Sequence, residues 1–242
     1  MTDAAAPNRP EQNPRAIEIW AWAMYDFANS GYTTVVLTAI FNAYFVAVVA
    51  ANAPWATFAW TATLSVSYAL VIVSAPVIGA YADLRANKKR LLLSTTVGCV
   101  LSTAALALAG PGNLTVAVAC IVVSNFFFCT GCDLIAAFLP ELARGRDLGK
   151  VSGWGWSLGY IGGLLTLAVC LAYVFWAQAA GHGAAQFVPV TMLITAALFA
   201  LASLPTFAIL RERALPQPLP PGASLLASAF ARLADTLRHA AR

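Results

Sequence analysis

Two carboxylates inside strongly apolar stretches are the first candidates for chemistry in this sequence. Tyr25, Asp26 and Asn29 lie in one helical stripe, because Asn29 follows Tyr25 by four residues and Asp26 by three. Asp133 shares a similar stripe with Asn125. Burying a charge in hydrocarbon is costly, so such groups normally face a water-filled cavity or a partner. We therefore expect the two stripes to face a shared interior and to line a pathway for a solute or a proton.

Both carboxylates also have a structural interpretation. Asp26 could instead cap the first helix or rest in the headgroup region, whereas the deeper position of Asp133 favours a functional role. Cys129 and Cys132 have the spacing of a redox or metal motif, but no second cysteine pair or nearby His completes a site. The sequence therefore predicts no metal and no cofactor.

The composition indicates what surrounds these residues. The chain has 242 residues, of which 60% are hydrophobic and only 10% are charged, whereas soluble domains carry about 25% charged residues. A helix that crosses a bilayer needs about 20 mostly apolar residues. The sequence contains six such runs and so predicts an all-α membrane protein with six transmembrane helices, at about 24–50, 56–82, 91–109, 114–139, 154–177 and 188–210.

The basic residues predict the orientation of the spans. All 14 Lys and Arg fall in four places: the N-terminal tail, 85–90, 144–150, and the stretch from 211 to the end. Six spans bring these places to one side, which the positive-inside rule makes cytoplasmic. We expect both termini in the cytoplasm and the bundle in the plasma (inner) membrane. The net charge of +4 then reflects topology and anionic lipid rather than a nucleic-acid partner.

Composition divides the chain into three parts. Residues 1–19 are predicted to form a cytoplasmic tail, 20–210 the six-helix bundle, and 211–242 a cytoplasmic extension. The extension starts with a Pro-rich linker at 216–221. Apolar residues then recur at helical spacing opposite charged ones, which indicates an amphipathic helix on the inner leaflet.

The loop between the second and third spans combines close packing with charge. Gly79 allows another helix to approach closely, and Asp83 can cap a helix or pair across an interface. Arg85 and Lys88 would stay at the inner membrane surface. The simplest interpretation is a basic loop that follows the end of a helix. The Gly-x-x-x-Asp spacing before the basic residues makes the pattern more specific than that.

This loop resembles the one between helices two and three of the major facilitator superfamily, commonly written G-x-x-x-D-(R/x)-x-G-(R/x)-K. Gly79, Asp83 and Lys88 match that pattern, whereas Leu84 and Ala86 replace the usual Arg and second Gly. Three further stretches are similar to the vacuole-effluxer-like branch of the superfamily: "YDFANSGY" (25–32), "FLPELA" (138–143) and "VSGWGWSLGYIGG" (151–163).

The resemblance implies the N-terminal six-helix half of a major-facilitator-type fold, itself a 3+3 inverted repeat. Such transporters hold their substrate between two six-helix halves. The second half would be a continuation of the chain, a separate partner or a second copy. In the superfamily the Asp of this loop helps to latch the halves on the cytoplasmic side. Here that role falls on Asp83, with Arg85 or Lys88 as its local partner.

Glycines recur every four residues in the fifth span, at Gly155, Gly159 and Gly163. This spacing is typical of a groove for close helix contact. It also resembles the glycine-rich fifth helix of antiporters in the superfamily, although Tyr160 replaces the expected Pro. We interpret the pattern as helix packing.

We expect a secondary active transporter, or its N-terminal half, that moves a small polar solute by alternating access. The spans offer carboxylates and amides but no Lys or Arg, which suits a proton or an ammonium group. The resemblance implies amino acids, which fungal members of the branch are associated with exporting. A truncated or non-transporting scaffold is the main alternative. An enzyme is disfavoured, because both His lie outside the spans and no nucleophile–base pair is recognisable.

Overall fold

Six long helices form the computed structural model of the protein, which describes residues 16–145, 147–214 and Arg238. Within these residues, six helices are long and apolar enough to cross a membrane, which confirms the predicted fold class. The helices are α1 (Ala16–Val49), α2 (Ala56–Arg85), α3 (Lys88–Leu108), α4 (Leu114–Ala136), α5 (Asp147–Ala179) and α6 (Ala184–Ile209). A short helix, Leu139–Leu142, follows α4.

Two helices begin earlier than their hydropathy predicts. α1 starts at Ala16 rather than near residue 24, so the last residues of the predicted tail belong to the first helix. α5 starts at Asp147 rather than near 154. An apolar run marks only the part of a helix in hydrocarbon, and backbone hydrogen bonds carry the helix further into the polar region. Residues 1–15 and, apart from Arg238, the predicted linker and amphipathic helix lie outside the described residues.

α1 is not a uniform α-helix. Its α-helical first half, Ala16–Tyr32, leads into a π-helical segment at Thr33–Ala39, and a second one follows at Phe45–Val49. The first segment reads TTVVLTA, a run of β-branched residues that crowd the preceding helical turn. The Thr38 hydroxyl donates to the Thr33 carbonyl oxygen, five residues back, at 3.0 Å.

The helix contacts have the symmetry of an inverted repeat. α1 packs mainly on α5 and α6, and α4, three spans later, packs mainly on α2 and α3. Exchanging α1–α3 for α4–α6 therefore reproduces the same contacts. Because successive spans alternate in direction, α4 runs antiparallel to α1, so the axis that relates the two triplets lies in the membrane plane.

The buried side chains gather around α1, whose Tyr25, Tyr32, Phe41 and Phe45 have almost no exposed surface. The outer faces of the helices are apolar as well. Ile72 on α2, for example, is 72% exposed. A surface of this kind requires lipid rather than water around it. The term basic side is used below for the end of the bundle where α2 ends and α3 begins.

Candidate functional site

An exposed strip of α1 forms a polar groove between α4 and α5. The strip carries Asp26 and Ser30, both half-buried, and the exposed Thr33. On one flank the indole nitrogen of Trp22 donates to the carbonyl oxygen of Ile135, in the last turn of α4, at 2.8 Å. On the other flank α1 lies against the glycines of α5. The polar groove is thus open along α1 and walled by α4 and α5.

Asp26 lies on the floor of the polar groove. No hydrogen bond or ion pair joins its carboxylate to any other residue that the structure describes. A Cβ atom at Gly155 would lie 2.5 Å from Asp26 Oδ2 and 2.7 Å from the Trp22 ring, so this glycine lets α5 lie directly against the carboxylate. A carboxylate without a partner inside a spanning helix is costly to keep charged. Chemically, this group can accept a proton or bind a cation.

Asn29 joins the stripe of α1 to that of α4. Its side chain is buried, and its amide nitrogen donates to Cys132 Sγ at 3.4 Å. Its carbonyl oxygen has no hydrogen-bond partner within the described part of the chain. Asp133 follows Cys132 and is exposed. The contact of Asn29 with Cys132 therefore brings α1 against α4 one residue before Asp133.

Tyr25 and Asn125 lie in the core rather than in the polar groove. The Tyr25 hydroxyl forms a 2.7 Å hydrogen bond with the hydroxyl of Thr96, and its ring packs edge-on against Phe199. The Asn125 amide nitrogen donates to Ser67 Oγ at 3.1 Å, which ties α4 to α2. Neighbouring positions on a helix differ by about 100° in direction. Tyr25 therefore points away from the groove that Asp26 faces.

The glycines of α5 form the contact with α1. A Cβ at Gly159 or Gly163 would meet Ser30 or Thr34 side-chain oxygens at 2.8 Å. Gly162 is tighter still, because an added Cβ would overlap the Phe27 backbone. The regular four-residue spacing gave no reason to single out Gly162.

Lys88 is the centre of an ion-pair network on the basic side. Its ammonium group lies 3.5 Å from Asp83 Oδ1 and 3.3 Å from Glu141 Oε1. It also donates to the Ala137 carbonyl oxygen at 3.4 Å. The side chain of Lys88 is only 11% exposed, whereas that of Asp83 is 51% exposed. One cation therefore holds the end of α2 to the end of the fourth span.

The other two residues predicted for this loop lie outside that network. Arg85 stacks over the ring of Tyr81, with its guanidinium carbon 5.9 Å from the ring centroid. Gly79 has no atom within 4 Å of a Cβ added there, so no helix approaches it closely among the described residues.

The segment after α6, Leu210–Arg213, is called the strap below. It extends the same ion-pair network. The Arg213 guanidinium pairs with Glu18 at 2.6 Å, and its backbone N–H donates to Glu141 Oε2 at 2.8 Å. Glu212 accepts the backbone N–H groups of Lys88 and Lys89 at 2.7 and 3.2 Å. Sequence reasoning missed these partners, although the acidic residues at span ends were a visible signal.

The comparisons with known proteins identify the family. A family model described as "Vacuole effluxer Atg22 like" matches residues 45–148 and 146–242, most of the chain. The chain belongs to this family. A protein of Bacillus subtilis (strain 168), described as "Uncharacterized MFS-type transporter YxiO", is 27% identical over 230 residues, which cover 90% of this chain and 52% of the relative. The chain thus spans about half the length of the curated relative it matches.

Membership in the vacuole effluxer Atg22-like family confirms the resemblance that the sequence motifs indicate. The family match contains Asp83, Lys88 and Asp133, together with the glycines of α5. It begins at residue 45, beyond Asp26 and Asn29. The family model therefore does not cover the groove on α1.

Proposed function

We propose that this chain forms one six-helix half of a secondary active transporter that moves a small polar solute by alternating access. The observation that carries the proposal is the Asp26 carboxylate, which lies half-buried in a groove of a spanning helix without a partner among the described residues. A bundle built only as a scaffold has no need for such a group, because an apolar residue would be more stable there. The family membership supports the same function.

The charge of the groove selects the kind of solute. Asp26 is the carboxylate of the groove, Asp133 is an exposed carboxylate on the neighbouring helix α4, and the Lys and Arg residues of the described chain lie at the helix ends. An ammonium group is therefore the best complement, and amino acids, which carry one, are the solutes we propose first. A proton is the other cation that fits, because neutralising a carboxylate removes the cost of burying its charge. We include proton coupling in the proposal on this ground.

Two aromatic side chains of α5 support an ammonium ligand. Gly159 and Gly163 face Ser30 on the groove side of α1, whereas Gly162 faces Phe27. With 3.6 residues per turn, Trp156 and Tyr160 come next to Gly163 on the side away from Gly162, the glycine that packs against Phe27. Both are about two-thirds exposed, and their ring centroids lie 6.1 Å apart. Aromatic faces attract organic cations, so we propose that these two rings help to hold the ammonium group of the solute.

We propose that the ion-pair network on the basic side acts as a gate, which an alternating-access cycle must open and close. Asp83 is half-exposed on its pair with Lys88, whereas Glu141 is largely buried on the same cation. We propose that Asp83 can exchange its local partner for one on a second half, while Glu141 keeps Lys88 in place. Arg85 stacks on Tyr81 at the surface and is a further cation that a second half could contact.

The test uses the intact natural protein in proteoliposomes. We expect counterflow of labelled amino acids and, with a pH-sensitive dye inside, solute-dependent proton movement. Asp26→Asn removes the charge with little change of shape and should lower the flux about tenfold, as expected for a lost charge-assisted contact. Asp147→Asn is the matched control, because Asp147 is exposed at the helix end and its ion pair with Lys150 at 3.4 Å is exposed as well.

Two results would contradict the proposal in different ways. Well-folded protein without flux of any ammonium-bearing solute would favour the scaffold alternative. Full flux and proton coupling in Asp26→Asn would retain transport but remove the groove from it.

A further inference from the structure

A pocket of about 490 Å³ opens on the basic side between the first turn of α3 and the end of α6. Its polar wall carries Lys89, Arg90 and Glu212, and its apolar wall carries Leu93 and Phe207. The pocket lies where both helices leave the hydrocarbon region. An occupant must therefore present charge to one wall and hydrocarbon to the other.

The charges of the pocket favour an anion. Both carboxylate oxygens of Glu212 already accept backbone N–H groups, so this carboxylate is engaged and the first turn of α3 is capped. The Lys89 ammonium donates to the Leu210 carbonyl oxygen at 2.6 Å, which leaves two of its three donors. Arg90 is exposed and forms no ion pair with any other described residue. Arg211 adds a further positive charge close to Lys89.

The apolar wall continues beyond the pocket along one face of α3. Leu93, Val97 and Leu101 are spaced four residues apart and are 47%, 47% and 64% exposed. Residues at this spacing form a row on one side of a helix. The row leads from the charged wall into the membrane, in the direction that an acyl chain takes from its headgroup.

We propose that this pocket binds the headgroup of an anionic phospholipid, with its phosphate on Lys89 and Arg90 and an acyl chain along Leu93, Val97 and Leu101. Guanidinium groups bind phosphate through two parallel hydrogen bonds. Basic pockets between helices at the cytoplasmic leaflet suit anionic headgroups. A soluble phosphate shares the charge chemistry but leaves the apolar row unused, which is why we favour the lipid. The proposal is independent of any transported solute.

Native mass spectrometry of the intact natural protein in detergent tests this site. Phosphatidylglycerol and phosphatidylcholine with identical acyl chains are titrated separately, and inorganic phosphate is added as a third arm. We expect the wild-type protein to retain phosphatidylglycerol in preference to phosphatidylcholine. Arg90→Gln should weaken that retention about fivefold, the effect of one cation near an anionic headgroup. Arg90→Lys, which keeps the charge, should lose less.

Lys150→Gln is the matched control, because it removes one exposed basic residue on the same side of the bundle, 76% exposed in its side chain. Equal retention of the two lipids, or an equal loss in Lys150→Gln and Arg90→Gln, would overturn the proposal. Displacement of phosphatidylglycerol by millimolar inorganic phosphate would also overturn it, in favour of a site for a soluble anion. Arg90 is exposed, so each variant is expected to fold, and gel filtration checks this.

Discussion

Ala86 shows how one residue can depart from its family pattern at a measurable cost. It ends α2 in the left-handed region, with φ 48° and ψ 54°, at the position where the superfamily loop usually has its second Gly. A side chain in this region is disfavoured by roughly 1 kcal/mol. The chain therefore holds a local strain that a glycine would relieve.

We predict that Ala86→Gly stabilises the protein by up to about 1 kcal/mol. The midpoint of thermal unfolding in detergent, followed by tryptophan fluorescence, should rise. Ala82→Gly in the preceding turn is the control and should lower the midpoint, because Ala82 is buried in regular helix. An unchanged or lower midpoint in Ala86→Gly would show that the left-handed turn is held without strain.

The polar residues of α1 show how much of the candidate site the sequence alone predicts. The spacing of Tyr25, Asp26 and Asn29 indicates a polar stripe, but a stripe covers more than one direction. Which of its members face the groove depends on where α3, α4 and α5 lie. That position places Tyr25 against Thr96 and leaves Asp26 open. Helical periodicity contains no information about either neighbour.

Between elements, α5 packs closely against α1 through its glycines. The cost of replacing one of them by alanine depends on which atom of α1 the added Cβ would meet. We predict that Gly162→Ala destabilises the protein by about 2 kcal/mol, since the added Cβ meets the Phe27 backbone, which cannot rotate away. At Gly163 the obstacle is the Thr34 hydroxyl, which can rotate, so Gly163→Ala should be milder.

Gly153→Ala on the same helix is the control for this prediction. Nothing lies within 4 Å of its added Cβ, so the higher helix propensity of alanine should stabilise the protein slightly. Unfolding midpoints of the three variants in one detergent give the comparison. Similar midpoints for Gly162→Ala and Gly153→Ala would mean that α1 and α5 are less closely packed than described.

The six elements themselves were predictable because each is an uninterrupted apolar run of bilayer length. Their pairing was not. Glu212 and Lys88 are 124 residues apart, and no local pattern in the sequence joins them. The π-helical segments of α1 were also missed, because a run of Thr and Val crowds a regular helix but does not by itself indicate a π-helical turn. Tertiary packing decides both features.

For the whole molecule, the one-sided distribution of Lys and Arg predicts that the loops at 109–113 and 180–183 face the outside. In a background without the five native cysteines, Pro111→Cys and His182→Cys should react with a membrane-impermeant maleimide in intact cells. Lys150→Cys should react only after permeabilisation. The reverse pattern would invert the proposed topology and move the basic side, with its pocket, to the outer leaflet.

The contact between Glu212 and the start of α3 has a consequence for biosynthesis. The ribosome makes Lys88 long before Glu212, so α3 enters the membrane while its first N–H groups still lack their carboxylate. The same delay applies to the ion pair between Glu18 and Arg213, which are 195 residues apart. The contacts of the strap with α1 and α3 therefore form only after α6 has been synthesised. The strap, which is made after all six helices, thus contacts the first and the third of them.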